Sequence, residues 1–249
     1  MNDPRTAWKL LLIAVLLALP ALAVGSAAAE ARSASQERAF KAEYRAFYGS
    51  MRGATTTFSL ERGSNGDWLW QSRSEPAGMV AMFRDDVVTE RSRFRVNEGT
   101  LLPISYRYRH QTGGDTRRQR ALDFNWDDRI ARYNDDGDRG ELSLERGALD
   151  RFLAQYALMR DLQAGKQPKR YTIVYRDDSF RQDLTYLGKE RIRVRAGRFD
   201  TIKIAMEDTD SDRKLLMWMA PELGYLPVQL EQREPGETTV RMELESTNR

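Results

Sequence analysis

Carboxylates are the most abundant groups in this 249-residue chain that could do chemistry, and their spacing decides which chemistry. Asp208, Asp210 and Asp212 stand at alternate positions, as at the start of a calcium loop. Such a loop needs Gly at its sixth position and Glu at its twelfth. Here those positions hold Arg213 and Met219, so the run reads as an exposed tip between two strands and no metal site is expected. Asn134 to Asp138 reads the same way, with Asp136-Gly137 as a hairpin turn. Two carboxyls facing each other across a cleft could hydrolyse a glycan without help from His or Cys. Asp123, Asp127, Asp128, Asp150 and Glu190 are available for such a pair, but a chain this rich in acids supplies pairs by chance, so no catalytic residue is assigned. The single histidine, His110, shares a strand face with Tyr106 and Tyr108. No G-x-S-x-G elbow accompanies it, so it reads as a hydrogen-bonded structural residue. With no Cys and one His, the chain leaves little room for thiol catalysis, His-ligated metal clusters or disulfides.

Aromatic rings are the other candidates. Trp68, Trp70, Tyr106, Tyr108, Phe124, Trp126 and Trp218 all fall on expected strands, where rings on one face could line a trough. They are either a packed core or, if the interior is too wide for them to fill, a sleeve for an acyl chain. A sequence does not report volume, so both readings stand.

The elements that would position these groups are mostly strands. Phe40, Ala42, Tyr44, Ala46 and Tyr48 alternate with charged residues, the period of a strand with one wet face. The pattern recurs at Thr56, Phe58, Leu60, at Ser92, Phe94, Val96, at Ile104, Tyr106, Tyr108 and, after Gly113-Gly114-Asp115, at Leu122, Phe124, Trp126. Further strands are predicted at 171–176, 180–187, 190–195, 199–208, 214–220, 226–231 and 238–245. One amphipathic helix is predicted around residues 148–163, because Leu149, Phe152, Leu153, Tyr156, Met159 and the Arg160 stem recur at spacings of three and four. Gly165 and Pro168 end it. A lone helix among strands must cover a sheet, and many strands hide their edges best by curling. The expected fold is therefore mainly β: a curled antiparallel sheet, an open barrel or spiral, with the helix across or plugging its concave side.

The amino terminus bears on where this happens. A charged start, an apolar run from Leu10 to Val24 broken by Pro20, and Ala27-Ala28-Ala29 have the layout of a cleavable secretory signal over residues 1–29. The run falls short of the ~20 residues a spanning helix needs. Residues 30–39 read as a flexible lead-in and 40–249 as a single β-rich domain. Lys and Arg number 40 against 37 Asp and Glu, a mixed-sign surface that argues against nucleic acid. The expected location is the periplasm, without ATP or nicotinamide cofactors.

From about Tyr44 to Leu244 the chain resembles an exported bacterial family, domain of unknown function 3108. The motifs are Tyr106-x-Tyr108, Phe124-x-Trp126, Asp150 to Arg160 with Tyr156-Ala157-Leu158, Gly188-x-Glu190, and Ala196-Gly197-x-Phe199-Asp200-Thr201. The most specific is Trp218-x-Ala220-Pro221-Glu222-Leu223-Gly224-Tyr225-Leu226-Pro227-Val228. The resemblance implies a periplasmic β-rich fold similar to lipoprotein-carrier proteins of the envelope, and no catalytic residues. The expected function is non-enzymatic binding, by a monomer without cofactors, of a lipid, another hydrophobic envelope component or a partner protein. A carboxylate-dependent hydrolase of periplasmic glycan is the alternative.

Overall fold

A computed structural model describes residues 37–209, 213–234 and 237–249; the expected signal over 1–29, most of the lead-in, and Asp210 and Asp212 lie outside the described residues. The described strands are β1 (Phe40–Tyr48), β2 (Met51–Arg62), β3 (Trp68–Pro76), β4 (Val87–Asn97), β5 (Thr100–Thr112), β6 (Asp115–Asn125), β7 (Ile130–Asp135), β8 (Asp138–Ser143) and β9 (Leu149–Asp150). After helix α1 (Arg151–Gln163) come β10 (Arg170–Tyr175), β11 (Asp178–Val194), β12 (Gly197–Asp208), β13 (Lys214–Ala220), β14 (Leu226–Glu234) and β15 (Glu237–Thr247).

All pair in one curled sheet that does not close, in the order β8 to β1, then β15 down to β9. Chain neighbours are sheet neighbours except β8 and β9, which lie at opposite edges, because short turns favour antiparallel hairpins. The first and last strands, β1 and β15, pair at the centre, and β9 meets β10 in parallel, which α1 makes possible by carrying the chain back. Three hairpin turns, Glu98-Gly99, Gly113-Gly114 and Asp136-Gly137, hold both central residues at positive φ, the geometry whose twist matches a tight hairpin. The edge strand β8 carries Asp138, Arg139 and Glu141, charges that discourage pairing with another chain.

The two arms approach each other without a hydrogen-bonded ladder. Arg120 of β6 is hydrogen-bonded to Tyr175 of β10, Arg176 Nε lies 2.5 Å from Asp135 Oδ2 at the end of β7, and Arg181 Nη2 lies 2.8 Å from Glu145 Oε2. The interior between the arms holds α1. Asp150 starts it by accepting hydrogen bonds from the Phe152 and Leu153 amides at 3.1 and 2.8 Å, which satisfies two amides the helix leaves unpaired.

Several expectations are corrected. The helix starts at Arg151, not Ala148, and Leu149 belongs to β9. Its apolar face is not a single stripe: Ala154, Ala157 and Leu158 are buried along with Phe152, Leu153, Tyr156, Met159 and Leu162, because the curled sheet surrounds it. The strands expected at 180–187 and 190–195 are one strand, β11; Gly188, at a φ of 106°, sits at a bulge rather than a turn. β6 ends at Asn125, so Trp126 lies just beyond the strand. The short polar strands β7 and β8 had no clear alternation to announce them. Of the lead-in, Glu37 is tied down: its carboxylate lies 2.6 Å from Arg160 Nε and is hydrogen-bonded to Tyr156.

Candidate functional site

Alternation along β3 to β6 places Trp70, Phe94, Tyr106, Leu122 and Phe124 on the concave face, opposite the helix. Trp70 is 2 % exposed and stacks on Phe152 of α1, with centroids 5.4 Å apart and planes at 18°. Phe40, Phe58 and Tyr156 complete the cluster at 5.9, 5.5 and 5.5 Å from Trp70, and Phe94 meets Tyr156 at 5.5 Å. Here the rings fill their own space. Further out, Trp68 is partly buried beneath the Arg62 guanidinium, and Trp126 stacks on Phe124 while donating from Nε1 to the Pro103 carbonyl at 2.7 Å. Trp218 is not part of this set. Its neighbour Met217 pairs with Ile204, so Trp218 points to the opposite face of β13, where its Nε1 donates to Glu190 Oε2 at 2.8 Å under the Lys203 ammonium.

A polar layer lies at the head of α1. Asp150 is fully buried, and besides the two helix amides its Oδ1 accepts from Ser92 Oγ at 2.6 Å; its Oδ2 has no partner. Burial pushes the carboxyl up to about 7, and the nearby Glu90 charge adds to the rise. Glu90, two residues before Ser92 on the same face, accepts from the Tyr106 hydroxyl at 2.6 Å and is likewise held above the usual carboxylate range by burial. Arg120, 2.7 Å from Asp135, lies between the rings of Tyr108 and Tyr175 at 5.5 and 5.1 Å. Arg151 pairs with Asp208, which also accepts from Gln182 at 2.8 Å. Most members are therefore spoken for, and the layer ties the two arms of the sheet to the helix start.

The acids singled out from sequence do not face one another. Asp123 lies on the outer surface against Arg107 at 2.6 Å, Asp127 and Asp128 are exposed beyond β6, and Glu190 is engaged with Trp218. Only Asp150 is inside, and the acid that joins it, Glu90, was missed. The alternation Ser92, Phe94, Val96 carried back by one step would have found it. His110 is partly buried, with Nε2 2.9 Å from Asp86 Oδ1, a carboxylate that also accepts from Thr112 at 2.7 Å. Arg84, Thr112 and His110 together hold the Asp86 carboxyl well below its usual range. No group of acids and histidines among the described residues could hold a metal ion.

A groove of about 600 Å³ crosses the outer face of β1 to β4 and is lined by Lys41, Thr57, Ser59, Glu61, Gln71, Arg73 and Arg91. Ser59 and Gln71 both donate to the exposed Glu61 Oε1 at 2.8 Å, which ties these lining side chains together. Lys41 and Arg73 each have a carboxylate neighbour, at 2.8 and 2.6 Å, whereas Arg91 is exposed without an ion pair, directly across the strands from Arg107. Like charges placed opposite each other repel, a cost that an anionic partner would relieve.

The fold has known counterparts. A crystal structure of a β-barrel-like protein of domain of unknown function DUF1849 from Brucella abortus superposes with a TM-score of 0.57 at 9 % identity, over 84 % of this chain and 97 % of that one. MucB in complex with MucA(peri) gives a TM-score of 0.33 at 11 % identity, over 88 % of this chain and 52 % of that one. The first likeness speaks to architecture alone, and the second carries no argument. No curated protein matches the chain in sequence. The family assignment comes from the sequence itself, with β2 through β14 and most of β1 and β15 inside the matched region: over residues 43–245 the chain fits, and belongs to, the family described as protein of unknown function DUF3108.

Proposed function

We propose that this protein is a non-catalytic, exported protein of the periplasm that works as a monomer and binds with its outside: a partner protein or other envelope component seats in the groove across β1 to β4. The observation that carries this reading is the filled interior. Trp70, Phe94 and Tyr106 are nearly inaccessible and packed against or beside α1, while a groove of about 600 Å³ with Lys41, Arg73 and Arg91 along it lies on the other face. A sleeve for an acyl chain would need those rings to line a void, and here they occupy it. The free Arg91 and the neighbouring Lys41 and Arg73 favour a partner of anionic character.

The reading is tested by placing a photo-crosslinking side chain at Thr89, in the groove wall, in exporting cells. One discrete adduct is expected, and Arg73→Glu with Arg91→Glu should lower its yield by roughly tenfold or more. An adduct pattern indifferent to these charges would count against the groove. Native mass spectrometry showing a stoichiometric amphiphile inside the purified protein would restore the carrier. Turnover of peptidoglycan fragments that disappears in Glu90→Gln would favour the hydrolase instead.

A further inference from the structure

In an antiparallel meander, alternate connections gather at one end of the sheet. The β1–β2 turn, the β3–β4 connection and the β5–β6 turn therefore share an end, and the first two carry apolar side chains with nothing over them. Met79, Met82 and Phe83 are 75, 77 and 83 % exposed, and Tyr48 and Met51 are 52 and 55 % exposed. Among the described residues only one other large apolar side chain, Leu187, is exposed, and it lies at the bulge of β11. Isolated exposed apolar residues are ordinary, but five on two adjacent connections are not.

Their presentation is built. Gly78–Met82 form a 3₁₀ turn, in which residues three apart eclipse, so Met79 and Met82 project from one side with Phe83 next to them. The turn closes its own backbone: the Phe83 and Arg84 amides donate to the Val80 carbonyl at 3.0 and 2.9 Å. It is fastened to the sheet by the Ala77 amide, which donates to the Gly53 carbonyl at 3.0 Å. The Tyr48 ring lies over Gly53, where a Cβ would come within 2.6 Å of it. Behind the apolar tips stand Arg52, 3.6 Å from Glu245, and Arg84, and near the start of β6 Arg117, exposed and without an ion pair. Asp86, the carboxylate nearest Arg84, is shared with Thr112 and His110.

From this arrangement we infer that the β1–β2 and β3–β4 connections dock the protein on a lipid bilayer, with Met79, Met82 and Phe83 entering the acyl boundary. Tyr48 and the arginines then lie at the level of the headgroup phosphates. Flexible apolar tips that protrude, an amphipathic ring behind them, cations behind that, and backbone amides already satisfied are what an interfacial layer accepts; a folded protein partner would instead favour a flatter face. The docking goes beyond the groove reading and stands apart from it, since the groove lies on the side of the sheet and the apolar connections at its end.

The test uses the chain as exporting cells release it, floated with vesicles of phosphatidylethanolamine and phosphatidylglycerol. The unaltered protein should float, and the combined variant Met79→Ser, Met82→Ser, Phe83→Ser should lose roughly a hundredfold in partitioning while its thermal melt stays in place. A separate Phe83→Trp variant should shift its emission to the blue on vesicle addition and be quenched by acyl-chain bromines. Equal flotation of the serine variant, or no flotation of either, overturns the inference. So does an apolar-dependent change in self-association without vesicle binding, which would mark a protein contact. Groove cross-linking that persists in the serine variant keeps the two proposals separable.

Discussion

Asp150 is the residue on which the helix start and the polar layer both depend. It accepts three hydrogen bonds through one oxygen and leaves the other without a partner in a fully buried place. Desolvation then disfavours its charged form, and the carboxyl rises to about 7. In an unfolded chain the same group titrates near ~3.9, so between the two values the folded chain holds a proton the unfolded chain has released. The sign follows: this contribution is fully present below the unfolded value and is lost as pH rises toward 7, and Glu90, shifted in the same direction, reinforces it. The difference is on the order of 4 kcal/mol if Asp150 titrates alone. Asp150→Asn keeps a capping oxygen and removes the titration. Urea unfolding at roughly pH 5 and pH 7 should therefore show a smaller loss of stability in the variant than in the parent. An unchanged loss would mean that other groups carry the slope.

Elements are locked to one another by turns rather than by long loops. The Pro221–Leu223 turn ends at Gly224, whose φ is 58°, and Gln163 at the end of α1 donates to the Gly224 carbonyl at 2.6 Å. A Cβ there would fall 2.8 Å from the Arg249 guanidinium, so one position joins the helix end, the β13–β14 turn and the chain terminus. Gly224→Ala should cost about 1–2 kcal/mol from the left-handed backbone alone, with the displaced guanidinium adding to it; a melting temperature equal to the parent's would show the turn can relax freely. Tight turns also explain which strands were legible beforehand. β1 alternates cleanly because one face is wet and the other packs inside, and β5 does so only beyond the bulge at Ile104, from Ser105 to Arg109. The break expected at Leu187-Gly188 was a glycine doing another job, since a bulge and a turn make the same demand for positive φ.

At the scale of the whole fold, the first and last described strands meet in the middle of the sheet. Tyr44 of β1 pairs with Leu244 of β15, both nearly inaccessible, and its hydroxyl donates to the Pro227 carbonyl at 2.7 Å. Among the described residues the arms are otherwise linked through α1, the short β9, side-chain hydrogen bonds such as Arg120 to Tyr175 and ion pairs near the edges, so the β1–β15 pairing is the ladder that makes them one cooperative unit. A chain ending at Glu234 loses β15 and exposes the flanks of β1 and β14. It should show no cooperative unfolding transition by circular dichroism, and a sharp transition in that truncation would mean the arms fold independently. High contact separation of this kind also implies slow folding.

What the sequence settles by itself are the things that repeat or are local: strands from period-two alternation, the helix from its three-and-four spacing, turns from Gly, Pro and Asp, and family membership from motifs spread over the chain. The tertiary structure alone decides what depends on distance across the chain. Trp70 and Trp218 look alike as strand aromatics, yet one packs on α1 and the other faces the opposite way, because alternation tells the two sides of a strand apart without saying which side the sheet will curl around. Whether the rings filled the interior was set by how far the arms closed over the helix, a quantity of volume that no residue spacing encodes. Glu90 joined Asp150 for the same reason, since sixty residues of chain had to fold back before burial could raise either carboxyl.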